Sequence, residues 1–211
     1  MNFIPLKDNQ STQIMKRTII ICAMLLSLIT IETIGQNLFV QADLPVRTVR
    51  RFGISFDMGW NSLVGVGPTL QYYASPHFGI DAGVGLSGVG WKFSGRGRYL
   101  FLDKKFSPFL AAGFIYGTGS LGAEVENQYE GNTIRFVLTQ SPFIQLTFGG
   151  DLVASGGFFL MFDVGYAILL SENVEIKSGI PSADQLRAMD IAYGSGIVIE
   201  VGLGYMFKNR K

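Results

Sequence analysis

Four carboxylates and three cations occupy equivalent places in short segments of alternating character: Asp57, Asp81, Asp163 and Glu200, with Lys92, Arg96 and Arg98. Each stands where every second residue is polar or glycine and the residues between are apolar. Gathered around water, these groups would form a charged constriction that filters ions. Packed together, they would form a salt-bridged plug, because an isolated buried charge costs several kcal/mol. Little else in the chain could do chemistry. The one histidine, His77, ends the turn-like Ala74-Ser-Pro-His77 and reads as a solvated turn residue, and the one cysteine, Cys22, lies in an apolar leader. A nucleophilic triad therefore lacks its parts. The acidic residues Glu124, Glu126, Glu130, Glu172, Glu175, Asp184 and Asp190, with Lys177 and Arg187, show no calcium-loop spacing and read as solvated surface. No catalytic residue, metal site or cofactor is expected.

The segments that must position the charges have a period of two. In Arg51–Trp60, Phe52, Ile54, Phe56, Met58 and Trp60 share one parity, and Gly53, Ser55, Asp57 and Gly59 the other. Such alternation makes a strand with two chemically different faces. Val64–Tyr72 continues it, with a bulge expected at Pro68, which cannot donate to a ladder. Phe78–Ser87, Trp91–Phe101 and Phe109–Tyr116 follow, the last apolar on both parities. A sixth strand falls within roughly residues 136–150, clearest at Ile144, Leu146 and Phe148. Phe158–Ile168 and Ile197–Phe207 complete eight strands of about ten residues, the length a tilted strand needs to cross a bilayer.

Composition agrees with that reading. Glycine is 27 of 211 residues, aromatics 13% and charged residues 16%, against about 25% charged in ordinary soluble domains. Mean hydropathy is +0.31, yet after residue 35 no apolar run approaches the ~20 residues of a membrane helix. Hydrophobicity spread through alternating strands is how a closed barrel satisfies its backbone in lipid. Residues 1–35 hold three bases (Lys7, Lys16, Arg17) and two acids (Asp8, Glu32) of the chain's 17 and 16, so the remainder balances at formal zero. A neutral chain offers nucleic acid no electrostatic hold.

Met15-Lys16-Arg17, an apolar stretch from Thr18 to Ile31, and Thr33-Ile34-Gly35 read as a cleavable signal peptide with cleavage before Gln36. Residues 1–14 read as an upstream extension, with Met15 a candidate start. Residues 36–49 become a periplasmic N-terminal segment, 50–207 the barrel and 208–211 a basic periplasmic tail. Turns after strands two, four and six are short (Ala74–His77, Leu102–Ser107, Asp151–Gly157). The connections after strands five and seven are long, about residues 118–135 and 170–193. Since such barrels keep long loops outside, both termini fall in the periplasm. Ser182 and Gln185 in capping-box spacing predict a short helix in the second long loop.

The expectation is thus an all-β, eight-stranded antiparallel up-and-down transmembrane barrel with its apolar parity facing lipid. That parity ends in aromatics suited to headgroup girdles: Trp60, Trp91, Tyr116 and Tyr166 at the outer rim, and Phe52, Tyr72, Phe78, Phe101 and Tyr205 at the inner rim. The opposite parity carries the seven charges, Asp57, Asp81, Lys92, Arg96, Arg98, Asp163 and Glu200. Eight strands leave an interior that side chains just fill, which favours the plug over the filter.

The last strand, Glu200-Val-Gly-Leu-Gly-Tyr-Met-Phe207, resembles the terminal-strand signal of outer-membrane proteins, matched by Glu200, Gly202, Tyr205 and Phe207. The tail Lys208-Asn-Arg-Lys211 departs from members that end on the final aromatic. Phe106–Gly117 and Phe162-Asp-Val-Gly-Tyr166 are similar to the same group. Together these segments resemble the outer membrane protein β-barrel domain (porin-family) proteins of Bacteroidota, small barrels of the OmpA/OmpX kind. The resemblance implies a Gram-negative outer membrane, with lipid and lipopolysaccharide as surroundings. It implies periplasmic chaperones and the barrel-assembly machinery as partners in biogenesis; the sequence leaves the oligomeric state open, with a monomer as the expectation. The resemblance specifies fold and location rather than activity; with no catalytic set in the chain, the expected role is non-enzymatic, structural or interaction-bearing through the two long loops. The alternatives are a small diffusion channel and a subunit of a secretion or gliding apparatus (the PorT-like proteins).

Overall fold

The computed structural model of the chain describes residues 45–129 and 132–209. The signal-peptide reading, Glu130 and the last two residues of the tail lie outside the described residues. A one-turn helix α1 (Val46–Val49) precedes β1 (Phe52–Trp60), β2 (Val66–Ser75), β3 (Phe78–Ser87), β4 (Gly90–Leu100) and β5 (Phe106–Gly117). Then come β6 (Glu124–Tyr129), β7 (Asn132–Leu138), β8 (Ser141–Val153), β9 (Phe158–Leu169), β10 (Val174–Ser178), helix α2 (Ala183–Tyr193) and β11 (Gly196–Phe207).

Eight of these strands close a barrel in the order β1-β11-β9-β8-β5-β4-β3-β2, all antiparallel, and β10-β7-β6 form a separate three-stranded sheet. Closure is made by β11 against β1, from Phe52 opposite Phe207 to Trp60 opposite Ile199. It removes the unpaired edge that an open sheet would expose. The barrel turns after β2, β4 and β8 share one end with both termini. The connections after β1, β3, β5 and β9 share the other, here called the loop end.

The alternation read in the sequence sorts the side chains. Most outward large apolar residues of the barrel strands, from Phe52 and Ile54 on β1 to Tyr205 and Phe207 on β11, stand between 40% and 62% exposed, with Val84, Tyr116 and Leu160 half-buried. The opposite parity is buried. Several large inward side chains are accommodated by glycine across the ladder: Asp57 lies between Gly67 and Gly202, Lys92 between Gly85 and Gly117, and Arg96 opposite Gly113. Asp163 lies opposite Gly149 and Glu200 opposite Gly59. A Cβ on Gly202 would overlap Asp57 Oδ1, and one on Gly113 would come within 2.7 Å of Arg96 Cβ. The glycine-rich parity is therefore the space that lets charged side chains fit a narrow lumen.

Several boundaries differ from the sequence expectation. The sixth barrel strand is β8, running past Gly149-Gly150 to Val153, so Asp151 is a lumen residue and not the start of a turn. Residues 132–138 belong to the outer sheet. Val64, expected on the lipid parity, is fully buried in the lumen, because Asn61–Gly65 folds inward and Gly65 takes a left-handed φ of +74°. Pro68 makes no bulge. It pairs with Phe56 in unbroken register, and the irregularity lies between Tyr73 and Ser75. In β5 the ambiguous parity resolves with Phe109, Ala111 and Ile115 inward and Leu110 and Phe114 outward.

The two long connections are not open loops. The β6–β7 hairpin, β10 and α2 build a unit with its own core of Ile134, Phe136, Leu138 and Met189. Helix α2 begins with the capping box the spacing predicts, Ser182 with Gln185. Gln185 does double work: its Oε1 accepts from Ser182 N at 3.0 Å and from Asn132 Nδ2 at 2.9 Å, and its Nε2 donates to Asn127 Oδ1 at 3.2 Å. One buried amide thus caps the helix and ties it to the hairpin.

Candidate functional site

Strands β3, β4, β8, β9 and β11 carry the charged lumen, and the register sets its order from one end to the other. Arg98 and Arg96 are two residues apart on β4, so their guanidinium groups lie on the same face at successive heights. Asp81 on β3 stands directly opposite Arg96 and accepts from both: Arg96 Nε donates to Oδ2 at 2.7 Å, and Arg98 Nη2 to Oδ1 at 2.8 Å. From β9, Asp163 Oδ2 accepts from Arg96 Nη1 at 2.9 Å, and Glu200 Oε1 on β11 lies 3.1 Å from Arg96 Nη2 as an ion pair without hydrogen-bond alignment. All these side chains are 0% exposed.

The network continues toward the terminal end through residues the sequence reading did not single out. Arg98 Nη1 donates to Asp151 Oδ2 at 2.9 Å, and Tyr73 Oη donates to the same oxygen at 2.5 Å. Arg47, from α1, enters the lumen from below. Its guanidinium pairs with Asp151 Oδ1 and donates to the carbonyl oxygens of Lys104 and Lys105. The result is an alternating chain, Arg47–Asp151–Arg98–Asp81–Arg96, that branches to Asp163 and Glu200. Charge alternation in a low-dielectric interior is what makes such a row tolerable, since each cation is flanked by anions.

Two of the seven charges singled out in the sequence take no part in these pairs. Asp57 accepts from Ser55 Oγ at 2.6 Å, and Ser55 Oγ in turn accepts from Gln71 Nε2 at 3.0 Å. Lys92 Nζ donates to Ser62 O at 3.1 Å and lies 5.9 Å from the Phe143 ring centroid. Both face inward, but neither comes within ion-pair distance of an opposite charge among the described residues.

Apolar layers seal the row from both sides. Toward the terminal end, Tyr73, Leu100, Phe109, Val153, Phe159 and Met206 form one buried cluster with Val46 of α1 against it. Arg98 lies beneath three of its rings, with Cζ 5.5 Å from Tyr73, 5.4 Å from Phe109 and 5.9 Å from Phe159. Toward the loop end, Leu63, Val64, Val89, Ile115, Phe143 and Val198 form a second cluster. Glu200 Oε2 accepts from Leu63 N at 2.7 Å and Lys92 holds the Ser62 carbonyl, so the inward-folded β1–β2 connection is pinned by lumen charges.

The missed residues had a signal. Asp151 continues the parity of Gln145, Thr147 and Gly149, and Tyr73 that of Thr69 and Gln71. Both lie one step beyond where turn-like residues made the strand seem to end. Arg47 had none, since it belongs to no alternating segment.

The aromatic and terminal-strand residues are placed as follows. Trp60, Trp91, Tyr166, Phe52, Tyr72, Phe78, Phe101 and Tyr205 point outward and are exposed, while Tyr116 is half-buried. At the terminal end Phe52 stacks on Phe207 with centroids 6.0 Å apart, and Tyr205 meets Phe207 edge-on at 5.5 Å. On β11, Glu200 and Gly202 face the lumen, and Tyr205 and Phe207 face outward. His77 is an exposed turn residue, its Nδ1 2.9 Å from Leu100 O and its ring stacked on Tyr99.

No family model matches the chain, and no curated protein matches it. Among solved structures it is similar to CarO of Acinetobacter baumannii, with 13% identity and a TM-score of 0.41 over 74% of this chain and 98% of that one. It is also similar to CarO2 of Acinetobacter baumannii, with 12% identity and a TM-score of 0.34 over 75% and 99% of the two chains. The architecture itself rests on the strand order and register: the chain is an all-β protein built on a closed eight-stranded antiparallel barrel.

Proposed function

We propose that this protein is an integral outer-membrane β-barrel of a Gram-negative envelope, of the Bacteroidota type its terminal strand resembles. Its lumen is closed, and its role is structural or interaction-bearing through the folded unit at the loop end. The observation that carries this reading is the inversion of faces: an apolar band of exposed Phe, Ile, Leu, Val and Trp surrounds an interior of fully buried ion pairs. In water such a band would forfeit about 1.5–3 kcal/mol for each large side chain left unburied, whereas lipid accepts it. Short turns at the terminal end and the β6–β7–β10–α2 unit at the other support periplasmic termini and an exterior loop unit. The alternating ion-pair row between two apolar layers supports a plug and not a pore.

Refolding into lipid vesicles followed by planar-bilayer recording tests both halves. The expected result is a barrel whose electrophoretic mobility shifts on heating and which gives no steady single-channel steps. Steps of constant amplitude would overturn the closed lumen, and failure to insert would overturn the membrane assignment.

A further inference from the structure

The barrel closes on itself, but the outer sheet, β10-β7-β6, keeps two free edges. A free edge offers a row of unpaired N–H and C=O groups to another strand. The register tells which groups these are on β10. Thr139 N donates to Asn173 O at 2.8 Å, so Asn173 faces β7. The side to which a residue turns both its N–H and its C=O alternates along a strand. Glu175 therefore also faces β7, and Val174 and Ile176 face away from it. Among the described residues, no main-chain partner meets Val174 or Ile176 from that free side.

The two edges differ in what each would meet on a copy of itself. Pairing about a two-fold axis sets residue i opposite residue j, and j opposite i. On β10 an axis at Ile176 lets the two Ile176 residues exchange their free hydrogen bonds. It also sets Glu175 opposite Lys177 of the second copy, twice. Both charges are exposed and share one side of the strand, since Lys177 Nζ donates to Glu175 Oε1 at 2.5 Å. The four charges then alternate around the axis. Ile176, 40% exposed, lines an apolar groove of about 260 Å³ with Leu186 of α2, which is 50% exposed, and the same axis would cover both. On β6 the only charges are Glu124 and Glu126, so pairing that edge with its copy gathers like charges.

We propose that two copies of this chain associate through β10, antiparallel and centred on Ile176, joining their three-stranded sheets into one of six strands. This replaces the monomer expected from the sequence. The register shift between Ile176 and Ser178 ends the usable edge, so the contact is short and the association depends on concentration. The proposal names a partner for the loop-end unit and rests on the reading of that unit as interaction-bearing; the test separates it from the membrane assignment. Sedimentation of the full-length protein in detergent, over a range of micromolar concentrations, is compared with Lys177→Glu, Glu175→Lys and their equimolar mixture.

The expected result is a reversible monomer–dimer equilibrium. Each variant alone sets four like charges around the axis and should dimerise about tenfold more weakly, two attractions being lost and two repulsions gained. The mixture should recover dimers holding one chain of each kind, because acidic then faces basic; a merely damaged β10 would not recover. Cys22 is the only cysteine, so Ile176→Cys in a Cys22→Ser background gives one thiol on each edge. Paired residues that exchange hydrogen bonds stand about 5.5 Å apart at Cα, within disulfide reach, so mild oxidation should cross-link the copies. Glu126→Lys on β6 should leave the dimer unchanged. A monomer at every concentration, association that neither reversal weakens, or a mixture no stronger than its components overturns the proposal. Heat-dependent electrophoretic mobility of the same samples reports the barrel: its loss sinks the membrane reading, and its retention in a strictly monomeric sample sinks only the β10 contact.

Discussion

Arg96 is the side chain on which most of the lumen depends, because it faces Asp81, Asp163 and Glu200 at once. Arg96→Ala removes the cation and leaves three buried carboxylates, a change of the class that costs about 3–5 kcal/mol. The urea midpoint for unfolding from lipid vesicles should fall accordingly, and a wild-type midpoint would show the row to be incidental. Arg47 tests the other extreme. Its partner Asp151 keeps Arg98 and Tyr73 when Arg47→Ala is made, so the cost should be smaller, about 1–3 kcal/mol. Arg98→Ala should resemble Arg96→Ala, since it also vacates the space under Tyr73, Phe109 and Phe159. The ranking of the three variants matters more than any one value.

Strands here are defined as much by what their glycines omit as by what their apolar residues bury. Gly202→Val would drive a side chain onto Asp57 and toward Met161, an overpacking expected to cost about 1–3 kcal/mol. Gly156→Ala, in the β8–β9 turn with nothing near its Cβ position, should be neutral or stabilise by about 0.4–1 kcal/mol. The same urea titration compares the two, and equal effects would mean that glycine serves flexibility and not space. In the outer unit, Gln185→Ala removes both the capping box and the tie to Asn127 and Asn132. Loss of a cap of this kind costs about 0.5–2 kcal/mol. Hydrogen exchange should quicken over α2 and the β6–β7 hairpin and stay unchanged in the barrel amides; acceleration in β8 or β9 would show that the unit and barrel unfold together.

The molecule as a whole is a layered object: α1 and an apolar floor, a row of alternating charges, an apolar ceiling pinned by Glu200 and Lys92, and a small sheet-and-helix unit connected beyond it. On the proposed closed lumen, a conduit opens only when the charged row and both apolar layers break, so single variants at Arg47 should remain non-conducting in planar bilayers. Conductance in Arg47→Ala would mean that the floor alone held the barrel shut. The two tryptophans also report immersion. Trp60 and Trp91 both sit on the outward face near the loop-end rim, so chains brominated near the headgroup should quench them more than chains brominated at the tip. The reverse order would place that rim at the bilayer centre.

Alternation along the chain determined which parity faces out, and with it the barrel, its eight strands and the inward direction of all seven charges singled out. This follows because a period of two is a local property of extended backbone. Composition located the glycines without saying which charge each one makes room for, since that depends on which strands are neighbours and in what register. Tertiary structure alone decided that Asp151 and Arg47 extend the row, that Lys92 and Asp57 stand apart from it, and that Val64 turns inward. Pairing height, the inward fold of Asn61–Gly65 and the reach of a helix outside the strands are set by contacts between segments far apart in sequence. The two long connections made the same point: capping-box spacing showed the helix, but only the packing of Met189 on Ile134, Phe136 and Leu138 turned two loops into one folded unit. Which faces meet is written locally; which groups meet is not.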